Sequence, residues 1–293
     1  MGWIQLLLET DPAGADRLAD LLEAHGAASV SLQDAGDEPL YEPPPDTTPL
    51  WGETRVVALF PDDIDTDALL GGLEAALAPA PLPPRRIEPL AEQDWARAWM
   101  DRFHPTRFGR RLWIVPSWHQ PPEPDAVNVM LDPGIAFGTG THPTTRLCLE
   151  WLDGVVEPGM SLIDYGCGSG ILAVAGALLG ADPVLAIDTD PQAVAATREN
   201  AARNQVGDRI EAALPGVIPD RPVDLLVANI LANPLIALAP RLSGLVRPGG
   251  SIALSGILSE QAEAVASAYV PTFDLEPVSE QDGWIRLAGT RKV

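Results

Sequence analysis

The spacing of apolar residues predicts a small mixed unit at the start of the chain. Trp3-Ile-Gln-Leu-Leu-Leu8 reads as a strand. Asp11-Pro12 follows as an N-cap and first helical residue. The helix they open carries Leu18, Leu21 and Leu22 and stops near Gly26, a residue suited to the left-handed turn that closes a helix. Ala28-Ser-Val-Ser-Leu32 predicts a second strand, and a polar loop containing Pro43-Pro-Pro45 leads to a third, Thr54-Arg-Val-Val-Ala-Leu-Phe60. Residues 66–78 place Leu69, Leu70, Leu73 and Leu77 on one helical face, and Arg86-Ile-Glu-Pro-Leu90 is a short fourth strand. The order β-α-β-β-α-β is that of a ferredoxin-like unit. It holds no motif that carries chemistry, so its expected role is recognition.

A proline-rich run, residues 79–84, begins the boundary of this unit. Residues 92–103 are helical by pattern, with Trp95 and Trp99 one turn apart, and read as a helical linker. Past it, Arg111-Leu-Trp-Ile-Val115 and Val127-Asn-Val-Met-Leu131 predict paired strands around a proline-rich loop. The expected division is 1–85 for the ferredoxin-like domain, 86–104 for the linker and 105–293 for the remainder.

The rest of the chain alternates strand and helix. Leu162-Ile163 end in Asp164, three glycines alternate at 166, 168 and 170, and Ile171-Leu-Ala-Val-Ala-Gly-Ala-Leu-Leu179 reads as a packed helix. Strand, glycine turn and helix start build a nucleotide-binding crevice at the carboxyl end of a parallel strand. Pro183-Val-Leu-Ala-Ile187 is the next strand, with Asp188 at its end. A carboxylate there can accept hydrogen bonds from both hydroxyls of a ribose. Asp190-Pro191 starts another helix running to residue 204, and Arg209-Ile-Glu-Ala-Ala213 and Val223-Asp-Leu-Leu-Val-Ala228 are further strands, the second ending at Asn229. Helices at 234–245 and 260–269 and strands at 251–254, 273–278 and 284–288 complete a mostly parallel sheet with one antiparallel member.

NAD and S-adenosylmethionine both suit such a crevice, and three details favour the second. The glycines run G-x-G-x-G, not the G-x-G-x-x-G that seats a pyrophosphate on a helix N-terminus. Asp164, two residues before the first glycine, would repel a pyrophosphate and suits a ligand's amino group. Asn229 ends a third strand at the same edge of the sheet. Upstream, Asp132-Pro-Gly-Ile-Ala-Phe-Gly-Thr-Gly-Thr-His-Pro-Thr-Thr145 precedes a helix at 146–152, for which Thr144 and Thr145 are N-cap candidates. Its glycines and threonines suit a wall or lid over the cofactor. His142, beside Pro143, reads as structural rather than as a base, and Cys167 as a small side chain that fits the loop.

Composition narrows the remaining classes. The 293 residues are 46% hydrophobic, enough for one large or two ordinary domains. No apolar run reaches the ~18 residues of a membrane helix, and the first residues lack the basic start of a signal peptide, which implies a cytoplasmic protein. Two cysteines, Cys148 and Cys167, form neither a disulfide framework nor a metal cluster, so no metal is expected. The net charge of −22 argues against a nucleic-acid-binding surface. It would steer a lysine-rich protein toward the chain, or simply maintain solubility.

Asp164-Tyr-Gly-Cys-Gly-Ser-Gly170 with Asp188 is similar to class I S-adenosylmethionine-dependent methyltransferases in general. The 131–145 tract, Val227-Ala-Asn-Ile-Leu-Ala232 and Leu254-Ser-Gly-Ile-Leu258 together resemble the methyltransferases of bacterial ribosomal protein L11. The likeness spans the whole chain. It implies a Rossmann-like α/β domain on a mostly parallel seven-stranded sheet, preceded by an α+β ferredoxin-like domain that recognises the substrate. It also implies multiple methylation of the α-amino and lysine ε-amino groups of L11. The charge and hydropathy already lead to the expectation of no direct nucleic-acid or membrane binding, and a monomer is expected. The residues assigned to S-adenosyl-L-methionine are Thr145, Gly166, Asp188 and Asn229, with Asp164, Gly168, Phe137 and Thr141 beside them. The proline-rich loop at 38–49 departs from the family, so substrate contacts there do not transfer.

Asn229 is the expected catalytic residue, its side-chain carbonyl accepting a hydrogen bond from the amine. It resembles the Asn of the Asn-Pro-Pro-Tyr motif in other N-methyltransferases, but Ile230-Leu-Ala232 replaces Pro-Pro-Tyr. Without the tyrosine there is no ring to stack on a planar base, and a slender aliphatic amine fits better. Three alternatives remain from sequence: a class I methyltransferase with another substrate, an NAD-dependent oxidoreductase, and a non-catalytic module that docks on a ribosomal protein.

Overall fold

Alternation along the strands sets the core of each of two units, Met1–Trp99 and Met100–Val293, in the computed structural model. The structure describes residues 2–36, 49–90, 103–132, 142–216 and 222–293. The helix expected at 92–103, with Trp95 and Trp99, lies outside them except for Phe103; so do Phe137, Thr141 and most of the 38–49 loop.

The first unit comprises β1 (Trp3–Thr10), α1 (Pro12–Ala24), β2 (Ser29–Asp34), β3 (Thr54–Pro61), α2 (Thr66–Leu77) and β4 (Arg85–Leu90). Its antiparallel sheet has the order β2-β3-β1-β4, the ferredoxin-like topology expected from sequence. Asp11 caps α1 by accepting from the Gly14 N–H at 2.8 Å, and Asp65 caps α2 through the N–H groups of Asp67 and Ala68. Leu6 and Leu8 of β1 and Val56, Ala58 and Phe60 of β3 point inward, against Leu18 and Leu22 of α1 and Leu69, Leu73 and Leu77 of α2. Each buried leucine contributes roughly 1.5–3 kcal/mol. Charge is unevenly divided: the first unit has 19 acidic and 5 basic side chains, the second 22 and 14.

The second unit opens with a three-stranded sheet, β5 (Thr106–Phe108), β6 (Leu112–Val115) and β7 (Val127–Met130). β6 and β7 pair as expected, in parallel, while β5, too short to show a period in the sequence, adds an antiparallel edge. Then follow α3 (Pro143–Val155), β8 (Leu162–Tyr165), α4 (Ile171–Leu179), β9 (Val184–Ile187), α5 (Pro191–Arg203), β10 (Ile210–Ala213), β11 (Val223–Asn229), α6 (Ala232–Leu245), β12 (Val246–Leu258), α7 (Ala262–Tyr269), β13 (Phe273–Leu275), β14 (Ser279–Gln281) and β15 (Trp284–Arg291).

The large sheet runs β10-β9-β8-β11-β12-β15-β13, with β14 paired on β15. β15 is the antiparallel member, inserted between β12 and β13. This path has the expected seven strands, and an eighth pairs off it: the run 273–278 breaks at Pro277, which has no N–H to donate, and a further strand, β14, pairs on β15 after the break. Successive residues of the central strands enter opposite cores. Leu162, Leu225 and Ala253 pack with α3, α4 and α5, whereas Ile163, Leu226 and Ile252 pack with α6 and α7. Burial on both faces explains why these strands read as continuous apolar runs.

A correction concerns α3, which begins at Pro143, so its cap is His142 and not Thr144 or Thr145. Proline is at ease at the first helical position because its missing N–H has no helical partner there. Among the described residues no helix is long and apolar enough to cross a membrane, and no group of three or more His, Cys, Asp or Glu is placed to hold a metal ion.

Candidate active site

β8, β9 and β11 lie side by side, and their carboxyl ends bring the site residues to one edge. Asp164 on β8 is fully buried. Its Oδ2 accepts the Ala173 N–H at 3.0 Å, in the first turn of α4, where the helix dipole favours an anion. Oδ1 is buried without a hydrogen-bond partner. Burial pushes the carboxyl up to about 7; the Ala173 N–H opposes this, and the nearby Asp188 charge adds to it.

The glycine loop turns sharply, with φ of +84° at Gly166, +53° at Gly168 and +78° at Gly170. The N–H groups of Gly166 and Cys167 donate to the Ile187 carbonyl at 2.7 and 3.0 Å, tying the loop to the end of β9. A Cβ on Gly166 would come within 2.2 Å of Ile230 Cγ2, so only glycine fits there. Asp188, half-buried at the end of β9, accepts the Gly168 N–H on Oδ2 at 2.9 Å and the Asp190 N–H on Oδ1 at 3.0 Å. From α5, Thr197 Oγ1 donates to the Gly168 carbonyl and Asn200 Nδ2 to the Ser169 carbonyl. Cys167 is buried beside Thr197, and desolvation pushes its thiol up to about 12, which suits packing and not nucleophilic attack.

On the other side of the edge, Asn229 Nδ2 donates to Thr145 Oγ1 at 3.4 Å, joining two residues 84 positions apart. Thr145 is buried in the first turn of α3. His142 Nδ1 accepts the Thr144 N–H, and its ring meets Trp284 edge-on at 4.8 Å between centroids. Burial lowers the His142 pKa and favours the neutral cap. The strand leading toward the 133–141 tract is held as well. Asn204 bonds both the N–H and the carbonyl of Met130, and Arg203 pairs with Asp132 at 2.6 Å.

Thus Asp164, Gly166, Gly168, Asp188, Thr145 and Asn229 meet at one edge, while Phe137 and Thr141 lie outside the described residues. Sequence reasoning missed Ile230 as a contact of the loop, and Trp284 and Asn204 as supports. Only the side-by-side arrangement of distant strands reveals them, because none belongs to a local motif. The unpaired, buried Asp164 Oδ1 is an acceptor awaiting a donor, which fits the ammonium end of S-adenosylmethionine.

A mostly parallel sheet with one inserted antiparallel strand, a glycine loop after the central strand and a carboxylate at the end of its neighbour define a class I S-adenosylmethionine-dependent methyltransferase. The family described as Ribosomal protein L11 methyltransferase (PrmA) matches residues 2–292. The chain is 57% identical over 293 residues to a ribosomal protein L11 methyltransferase of Pseudomonas aeruginosa, covering 100% of this chain and 99% of that one. It is 56% identical to the protein of that name from Azotobacter vinelandii, covering 100% of both. The crystal structure of a ribosomal protein L11 methylase from Lactobacillus delbrueckii subsp. bulgaricus aligns with a TM-score of 0.59 and 36% identity, over 65% of this chain and 100% of that one. This chain belongs to the ribosomal protein L11 methyltransferase family.

Proposed function

We propose that the protein transfers methyl groups from S-adenosyl-L-methionine to the α-amino and lysine ε-amino groups of ribosomal protein L11, as a monomer in the cytoplasm. The observation that carries this reading is the convergence of the glycine loop, Asp188 and the Thr145–Asn229 pair at one sheet edge. In it, the open backbone of the glycine loop, whose Gly166 and Gly168 N–H groups are held by Ile187 and Asp188, faces the amino-acid part of the cofactor, Asp164 Oδ1 takes its ammonium, and Asp188 takes the ribose hydroxyls. The family resemblance assigns Phe137 and Thr141 to the same cofactor.

The cofactor supplies an electrophilic methyl group and its own leaving group, so the protein's tasks are to orient, desolvate and receive a neutral amine. Orientation alone is worth about 7–11 kcal/mol. Freeing a lysine of its proton at pH 7 costs about 4.6 kcal/mol, an α-amine only about 1. With Asn229 Nδ2 turned to Thr145, its Oδ1 is the atom left to accept an N–H of the neutral amine. No side-chain base is assigned; the first proton leaves to water.

The first unit, with 19 acidic against 5 basic side chains, is the proposed substrate-recognition domain. Its charge would draw a lysine-rich partner. The test is the intact mass of purified L11 after incubation with this protein and S-adenosylmethionine. Gains in methylene steps that map to amines are expected. No gain, with cofactor binding retained in a calorimetric titration, overturns the substrate and leaves the methyltransferase.

A further inference from the structure

We infer that Gly256, with Ile230, is a positioning residue for the methyl acceptor, setting where Asn229 stands relative to the glycine loop. This rests on the reading of Asn229 as the acceptor-side residue. Asn229 is the last residue of β11 and pairs with Ser255 of β12. Immediately beyond, the β12–β15 ladder slips: Ser255 pairs with Arg286 and Ile257 with Ile285, so Gly256 is left out of register with φ +84°. A Cβ there would stand 2.4 Å from the Ile230 oxygen, 2.8 Å from its carbonyl carbon and 3.1 Å from its nitrogen. These are backbone atoms and cannot rotate aside. The bulge therefore seats the peptide that follows Asn229, which is a way bulges re-aim neighbouring groups.

The same residue is held from the opposite side. Ile230 Cγ2 occupies the place of a Cβ on Gly166, at 2.2 Å. Ile230 is thus a wedge whose backbone rests on the β12 bulge and whose side chain rests on the cofactor loop. Asn229 in turn is tied by its side chain to Thr145. The sheet edge has one setting for the acceptor residue against the loop that faces the cofactor. A misplacement near 1 Å in such a geometry lowers the rate about a hundredfold without a change of chemistry.

The test is Gly256→Ala in the full chain, with three readouts. Turnover on L11 is expected to fall tenfold or more, while calorimetric affinity for S-adenosylmethionine stays within threefold of the parent. In ligand-free protein labelled with nitrogen-15, the Asn229 side-chain amide signals, identified by their absence in Asn229→Ala, are expected to move. Turnover within twofold of the parent, or a loss of turnover matched by an equal loss of cofactor affinity, overturns the inference. If Gly256→Ala does not fold, Ile230→Ala decides: it removes the side-chain wedge and leaves the backbone seat. A fivefold or greater fall in turnover at retained cofactor affinity supports positioning, and unchanged turnover overturns it. Asn229→Ala in the same series separates the two levels. If it is fully active, the acceptor role of Asn229 falls, and this inference with it. If it is impaired while Gly256→Ala is not, only the inference falls.

Discussion

Replacing Asp164 with Asn tests whether a buried, half-paired carboxylate is kept for a cationic ligand. In the ligand-free protein its pKa is raised from 3.8 to about 7, chiefly by burial. A raised acid is favourable to the fold while protonated. Its contribution is complete below pH 3.8, declines as pH rises and is lost once pH passes about 7. Between pH 5 and pH 8 the parent should therefore lose roughly 2–3 kcal/mol that Asp164→Asn does not lose. Asn keeps an acceptor for the Ala173 N–H and has no charge to desolvate. Urea unfolding of both proteins without ligand, at pH 5 and pH 8, measures the difference.

Cofactor affinity gives the complementary sign. The pair needs Asp164 ionised and the ligand's amine, with a pKa near 7.8, protonated. For a carboxyl raised toward neutrality, the product of the two fractions rises from pH 6 to a maximum near neutral pH and falls again by pH 9. Calorimetric titration should show this bell in the parent and no acid limb in Asp164→Asn. A stability gap that does not widen with pH, together with parallel affinity profiles, would refute the role given to Asp164.

Three further outcomes follow. Asp188→Ala should weaken S-adenosylmethionine binding tenfold or more, because it removes the proposed ribose acceptor and frees the Gly168 and Asp190 N–H groups it now holds; titration measures this. At the opposite edge of the sheet, burial raises the Asp224 pKa, but the Ser161 hydroxyl, the Ser161 N–H and Arg247 outweigh it and hold the group at about 2. Its contribution is present above pH 3.8 and lost as pH falls toward 2, so Ser161→Ala should cost roughly 1–2 kcal/mol near neutral pH, shrinking on acidification, with turnover unchanged. Finally, kcat/KM for L11 should fall several-fold from 50 to 300 mM salt through screening of the acidic first unit, and Asp16→Lys with Asp20→Lys should flatten that dependence.

Much of this was legible locally. The two-residue period of Leu6 and Leu8, the helical face of Leu69, Leu73 and Leu77, and the Asp11-Pro12 and Asp190-Pro191 helix starts each need only neighbours in the chain, and each stands where the pattern put it. The glycine loop was legible for the same reason: a strand, a turn with positive φ and a helix start are consecutive. The helix cap at His142 was not, because Thr144 and Thr145 are equally good local caps, and only the placement of Pro143 at the first helical position, with His142 against Trp284, selects among them.

What the sequence determined by itself is the set of elements, the class of crevice and the residue types offered to it, since these follow from short-range sterics and hydrophobic period. The tertiary structure alone decided which of them meet. It inserted β15 between β12 and β13, brought Thr145 to Asn229 across 84 residues, left Asp164 Oδ1 without a donor, and wedged Ile230 between Gly166 and Gly256. The physical reason is that strand order and close packing are properties of the closed sheet, where hydrogen-bond pairing and excluded volume act between residues that no local pattern connects.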